Sequence, residues 1–242
     1  MHDIDYTNTM TQQQYYTFKI TPITETTCEL KGFIEFGEEY DENNFLAAMP
    51  SYIGDDYHYT PNELIIDSAI LNGVEYDIIS IDATSFSHCS SLETIIISNK
   101  VKSIKWNMYK CSSLKNIIVE KDNPYYYDID GVLFQKKTLI AFPQGRIGTY
   151  KIPNGIKKIG SHAFKSCRIS KVIFPHSLQE IGQNAFYECN NIKEFILPPA
   201  IKKVHRNDNV NNTPITQDFY LSSDSPKGNP LKISDITKMF PV

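Results

Sequence analysis

Cysteine is the residue of this sequence that could do chemistry most directly, and it occurs five times, as Cys28, Cys89, Cys111, Cys167 and Cys189. A cysteine can be a nucleophile, a metal ligand or half of a disulfide, and each role needs particular neighbours. A zinc site needs a second cysteine two to four residues away or histidines at ligand spacing. The sequence has neither pattern, so we expect no metal and no cofactor.

A cysteine hydrolase needs a thiol that is activated by a histidine. His88 precedes Cys89, and His162 lies close to Cys167 in the sequence. Such proximity does not establish a catalytic geometry, and both thiols are predicted to face a core, where a thiol stays protonated and inert. The chain also lacks a Gly-rich phosphate loop, Gly-x-Ser-x-Gly and His-Glu-x-x-His. We therefore expect no catalytic residues and no enzymatic activity.

Composition is that of a folded protein, with 41% hydrophobic and 21% charged residues in 242. No apolar run approaches the roughly 20 residues that span a bilayer. Residues 1–14 are polar and show no recognisable secretion signal. The net charge of −4 argues against a nucleic-acid binder, because such proteins need a basic surface.

Charge is unevenly distributed along the chain. Residues 1–80 contain 15 acidic and 2 basic side chains, whereas residues 151–206 contain 3 acidic and 10 basic ones. Two solvated surfaces of opposite sign are the simpler interpretation. The alternatives are head-to-tail self-association, or a basic edge that binds polyanions. The candidate residues of that basic edge are Lys157, Lys158, Lys165, Arg168 and Lys171.

A repeat of 22 residues organises the chain, as the step from Phe164 to Phe186 shows. Each copy contains a Leu-x-x-Ile-x-Ile spacing, whose final two-residue step places alternate side chains on one side of a strand. The Ala-Phe-x-x-Cys segment, present at 163–167 and 185–189, fits a tight helical or 3₁₀ turn with its phenylalanine inward, and Met108 stands in the phenylalanine position of another copy. The repeat thus predicts coils of one strand and one turn that stack on each other. The predicted strands begin at Leu92, Leu114, Ile147, Ile169 and Ile192, with edge strands at Leu64 and Ile66 and at Phe219 and Leu221.

The step from Leu114 to Ile147 is longer, at 33 residues. Two apolar runs around the polar pair Lys136-Lys137 predict that a β-hairpin replaces the usual turn. Four of the five cysteines share one repeat position, which favours an interior ladder of free thiols. Stacked neighbours could also form disulfides, although parallel side chains point the wrong way for that bond.

Two alternating segments, 15–20 and 29–34, precede the repeats and predict a β cap over the first coil. We expect one continuous domain, divided into a flexible tail at 1–14, a cap region at 15–63, a solenoid at 64–204 with its hairpin near 128–143, and an edge strand and cap at 205–242.

The repeats resemble the BspA-type, or Treponema-type, leucine-rich repeat proteins. The resemblance rests on Ile159-Gly160-x-x-Ala163-Phe164-x-x-Cys167, on the same pattern at 181–189, and on the interruption at 123–155. It implies an α/β leucine-rich repeat solenoid: a curved, right-handed stack of short parallel strands with 3₁₀ or short helical turns. It also implies a non-catalytic role in adhesion, at the cell surface or outside the cell, with host matrix proteins, bacterial surface proteins or glycans as partners.

One residue of each predicted strand lies between the two inward positions and therefore faces outward. We name these residues the outer row, and they are Ile65, Ile96, Ile118, Lys151, Ile173, Ile196 and Tyr220. Six of the seven are large and apolar. Two interpretations stay open: packing within the sheet, and an exposed face that binds a partner.

Non-enzymatic protein binding or adhesion is the function that these observations favour. The alternative is an interaction scaffold that acts inside the cell or beside an enzyme.

Overall fold

The computed structural model describes residues 13–33, 46–52, 62–82, 85–86, 89–108, 110–192, 195–205, 219–221 and 230–231. These residues form strands and turns, and none of them lies in a helix. The resemblance also implied a mostly β and irregular chain with an N-terminal β cap. The mostly β character is confirmed, whereas the helical part of the expected α/β class is wrong for the described residues. The tail at 1–14 and the C-terminal region after 205 lie largely outside the described residues.

Five N-terminal strands pair in a closed ring. Four neighbouring pairs are antiparallel, and one parallel pair closes the ring. The two alternating segments of the sequence are confirmed as its first strands, which pair antiparallel. Ile20, Cys28 and Leu30 join the same apolar core as the first coil of the repeats. In order around the ring, the strands are β1 (Gln13–Pro22), β3 (Leu46–Tyr52), β5 (Ser68–Leu71), β6 (Val74–Ile81) and β2 (Thr27–Phe33).

The predicted strands of the repeats are present, and neighbouring strands pair in parallel within each of three groups. Within the first group, every residue of one strand pairs with its repeat equivalent in the next. Three separate sheets result: β4 (Glu63–Ile66), β7 (Thr94–Ile97) and β9 (Asn116–Val119); β13 (Ile147–Lys151) and β15 (Arg168–Ile173); β17 (Phe195–Leu197), β19 (Phe219–Leu221) and β20 (Pro230–Leu231).

Each coil also contributes a second strand, which the repeat analysis did not predict. Ile159 pairs with Ile181, and Ile181 pairs with Val204, so the start of each copy forms its own parallel ladder. A coil therefore has two short strands on different sheets. This ladder contains β12 (Thr138–Ala141), β14 (Lys158–Ile159), β16 (Glu180–Ile181) and β18 (Lys203–Val204), and β8 (Ser103–Ile104) occupies the same position beside β6.

The turns between these strands are built from bonds between residues three apart, such as Cys167 N to Phe164 O at 3.0 Å. They do not continue as helix because His162 and Ser166 adopt left-handed φ angles of 60° and 57°. Successive turns bond to each other instead, with Phe164 N donating to Ala185 O at 2.7 Å. Stacking thus satisfies amides that a helix would satisfy internally.

The inward phenylalanines are confirmed, since Phe86, Phe164 and Phe186 are at most 3% exposed. Ile147 is a correction: it is 74% exposed, although the repeat spacing predicted it inward. The register shows why. Gly148 pairs with Ile169 and Thr149 with Lys171, so β15 carries one extra residue that moves Ile147 out of the core.

The predicted hairpin is present at the long step and consists of β10 (Tyr127–Ile129), β11 (Val132–Gln135) and β12, all antiparallel. Its central strand, β11, is buried on both faces. Leu133 and Ala141 pack into the N-terminal core, whereas Val132, Phe134 and Phe142 pack into the C-terminal core. The hairpin therefore joins the two apolar cores of the chain.

Candidate functional site

The outer row begins with three isoleucines on β4, β7 and β9. Ile65 pairs with Ile96, and Ile96 pairs with Ile118. Their strand neighbours Leu64 and Ile117 are fully buried, so alternation places the three side chains on the opposite face. Ile65 and Ile96 are half-buried, and Ile118 is 39% exposed.

The rest of the outer row lies on the other two sheets. Lys151 pairs with Ile173, and both are exposed, Ile173 by 41%. Ile196 pairs with Tyr220, but their side chains lie outside the described residues. The outer row is therefore not one continuous ladder, because the hairpin, rather than β13, follows β9.

The hairpin adds an apolar row that the sequence analysis missed. Tyr125, Tyr127 and Ile129 alternate with more buried residues and are 44%, 37% and 40% exposed. β10 lies against β9, since Val119 N donates to Asp128 Oδ1 at 2.9 Å. The two-residue spacing of Tyr125, Tyr127 and Ile129 was the available signal. The hairpin thus presents a second exposed apolar row.

The five cations of the predicted basic edge are not brought together. Lys157 and Lys158 lie at β14, where Lys158 Nζ forms an ion pair with Glu180 Oε1 at 2.9 Å. That bond, together with His205, holds the pKa of the Glu180 carboxyl below its usual value. Arg168 and Lys171 lie on β15, in a different sheet.

Lys165 lies in the turn between those two strands. Its Nζ donates to Asn107 Oδ1 at 2.9 Å and lies 6.0 Å from the ring centre of Tyr187. Burial lowers the pKa of this amine. Lys165 therefore takes part in packing between coils, and the exposed cations Arg168 and Lys171 are the ones available on the sheet face.

All five thiols are buried, and no disulfide links them. Cys189 donates to Phe164 O at 2.7 Å and Cys167 to Phe142 O at 3.6 Å, so each thiol bonds to the preceding coil. Burial raises the pKa of Cys167, and burial together with Asp77 raises the pKa of Cys28 to about 12. Cys28 and Cys167 are therefore protonated at neutral pH and are poor nucleophiles.

Thiol reactivity gives a direct check of this arrangement. We expect a soluble disulfide reagent to label few cysteines of the native protein and all five after denaturation, because the thiolate is the reactive form. The number of labelled cysteines is measured from the absorbance of the released chromophore, with and without prior reduction of the protein. Labelling of only one to three cysteines in unreduced, denatured protein would show that disulfides exist.

Neither a metal site nor a histidine-activated thiol is visible among the described residues. No group of three or more histidine, cysteine, aspartate or glutamate side chains lies close enough to hold an ion there. His162 Nε2 lies 3.2 Å from Asn184 Nδ2, and burial lowers the pKa of its ring. His88 lies outside the described residues. In the described part of the chain, no helix has the length and apolar character that crossing a membrane requires.

Comparison with known families gives a match over most of the repeats. The sequence model described as "BspA type Leucine rich repeat region (6 copies)" matches residues 69–141 and 140–223. No curated protein sequence matches the chain.

Several solved structures are similar to the chain at low identity. The pneumococcal vaccine antigen PcpA is 23% identical with a TM-score of 0.43, over 59% of this chain and 46% of that one. A leucine-rich repeat protein from Eubacterium ventriosum is 15% identical with a TM-score of 0.47, over 86% and 73%. A leucine-rich cell-surface protein from Faecalibacterium prausnitzii is 21% identical with a TM-score of 0.37, over 59% and 49%. The chain thus spans about half the length of the antigen and of the cell-surface protein that it matches.

Proposed function

Because the chain belongs to the BspA-type leucine-rich repeat family, we propose that it is a non-enzymatic module that binds protein partners through the outer face of its parallel sheets. The exposed apolar outer row carries this proposal. Ile118 and Ile173 keep 39% and 41% of their surface exposed, and Tyr127 and Ile129 add a second exposed apolar row on the hairpin. An apolar face bordered by polar residues is typical of an interaction surface.

The surroundings of the face also favour binding over catalysis. Lys151 and Lys171 are exposed beside Ile173 and give the face a polar rim. The five thiols are buried in the core, so they do not reach the face as nucleophiles. We place the protein at the cell surface or outside the cell, which is the location that its family implies. Protease treatment of intact cells, followed by detection with an antibody, tests this placement.

Replacing both Ile118 and Ile173 by lysine should abolish partner binding while the fold is retained. Both side chains are exposed, so neither lysine buries a charge. Binding is measured by surface plasmon resonance against a panel of purified matrix proteins (collagen, laminin and fibronectin) and bacterial surface proteins.

The matched control is Ile23→Lys, because Ile23 is also an exposed isoleucine, 52% accessible, but lies in the turn between β1 and β2. Unchanged binding by the double variant would overturn the proposed face. Binding that ignores the isoleucines and fades as salt rises beyond about 0.15 M would place the partner on the cations instead.

A further inference from the structure

Strand β13 has an edge that no described segment pairs with. Its only strand partner is β15, whereas β7 has a partner on each side. Ile152 N donates to Ile173 O at 3.0 Å, so Tyr150, two residues earlier, also directs its amide toward β15. The backbone groups of Thr149 and Lys151 therefore point to the opposite edge. Among the described residues, neither of them has a hydrogen-bond partner there.

The free edge is exposed and held in a fixed position. Ile147, Thr149 and Lys151 are exposed along it. At its start, Arg146 Nη2 donates to Asp130 O at 2.7 Å and to Asn116 Oδ1 at 3.2 Å, which ties β13 to the hairpin turn and to β9. An edge strand that is already ordered loses little conformational entropy when another strand joins it.

The strand pair also carries unpaired positive charge. Thr149 pairs with Lys171 and Ile147 pairs with Arg168, so two cations flank the outer face of β13 and Lys151 lies on it. Lys151, Arg168 and Lys171 are exposed and form no ion pair with any described carboxylate. A partner strand on the free edge of β13 would therefore lie next to Lys151, with Arg168 and Lys171 one strand further away on β15.

We infer that an extended acidic segment of a partner protein adds to the free edge of β13 as a further strand. Its backbone would bond to the amides and carbonyls of Thr149 and Lys151, and its outward side chains would be carboxylates next to Lys151 that the longer-range charge of Lys171, across β13, also attracts. A sulfated glycan would satisfy the cations, but it has no row of alternating N–H and C=O groups to pair with the edge. The edge therefore favours a peptide. This inference rests on the proposed protein-binding function but uses the strand edge and not the apolar face.

The test uses the full chain and a fluorescent eight-residue peptide of alternating glutamate and valine, with fluorescence anisotropy as the measurement. We expect binding, and we expect the peptide with lysine in place of glutamate not to bind. Two further peptides are N-methylated, one on all glutamate amides and the other on all valine amides. Each of them therefore cannot donate hydrogen bonds from one edge of the peptide strand. One of the two should bind and the other should not.

Variants of the protein test the same contacts. Thr149→Pro removes one edge donor and should weaken peptide binding about tenfold, whereas Thr149→Val retains that donor and should bind as the original chain does. The double change Lys151→Glu and Lys171→Glu should weaken binding by about tenfold or more. The matched double change Lys157→Glu and Lys202→Glu, at exposed cations outside the β13–β15 sheet, should have a small effect that salt removes.

Each result decides the inference. Absence of peptide binding, or equal binding by both methylated peptides, would overturn strand addition, and these peptide results do not depend on how well Thr149→Pro folds. Binding of heparin with the same lysine dependence, without binding of the peptide, would replace it by a polyanion site. Ile118→Lys separates the two proposals, because it should impair binding through the apolar face and leave the peptide bound.

Discussion

Replacing Phe164 by alanine should lower the free energy of unfolding by about 3–5 kcal/mol. Phe164 is fully buried, and its ring lies between those of Phe142 and Phe186 at centroid distances of 4.9 and 4.8 Å. Alanine would remove the central ring of this stack and leave a cavity that the rigid coils cannot close. The ring contacts with Phe142, Phe186 and Tyr150 would be lost together with the buried area.

Urea unfolding, followed by circular dichroism, measures this change. Phe164→Leu is the matched control, since it retains much of the side-chain volume and should cost less than alanine. A loss well below 1 kcal/mol for Phe164→Ala would contradict the stacked interior of the coils.

Replacing Gln144 by leucine should destabilise the protein by about 3 kcal/mol or more, because three buried backbone groups would lose their partner. Gln144 is 3% exposed. Its Oε1 accepts from Cys111 N at 2.8 Å, and its Nε2 donates to Met108 O at 3.0 Å and to Lys165 O at 2.8 Å. One amide thus occupies the place of the missing turn and links the coils on either side of the hairpin.

Two further variants distinguish lost hydrogen bonds from lost volume. Gln183→Leu makes the same chemical change at an exposed position and should alter stability by no more than about 0.5 kcal/mol. Gln144→Glu should become less stable as pH rises from about 4 to 7, because the ionised carboxylate would face two carbonyl oxygens and cannot donate to either. The burial raises the pKa of that carboxyl in the folded state, so its stabilising, protonated form is lost as pH rises. A stability of Gln144→Leu equal to that of Gln183→Leu would show that the bonds of Gln144 contribute nothing.

The repeat spacing predicted the strands and the buried phenylalanines because both follow from local alternation and period. It could not predict the register of β13. That register depends on the extra residue in β15 and on Gly148, which adopts a φ of 84°, and neither is visible in an apolar pattern. Gln144 was also missed, since a polar residue in a loop gives no sign that three backbone groups converge on it.

The candidate site was predicted in part for the same reason. Alternation placed Ile118 and Ile173 on the outside, and both are exposed. The pairing of neighbouring strands in the outer row depends on tertiary contacts. In the long step of the repeat, the hairpin lies against β9 and takes the place of the next strand. The break in the row, and with it the free edge of β13, required the structure.

The two-sided burial of the hairpin has a consequence for how the repeat array loses its structure. In a simple solenoid each coil interacts only with its neighbours, so coils can detach one after another from either end. Here Leu133 faces one core and Phe134 the other, on a single strand. Detachment that reaches β11 from one side exposes apolar surface on both sides at once, so the hairpin makes the two halves of the array a single cooperative unit. Whole coils can be gained or lost at the ends of such an array. The hairpin in the middle is required, because both apolar cores depend on it.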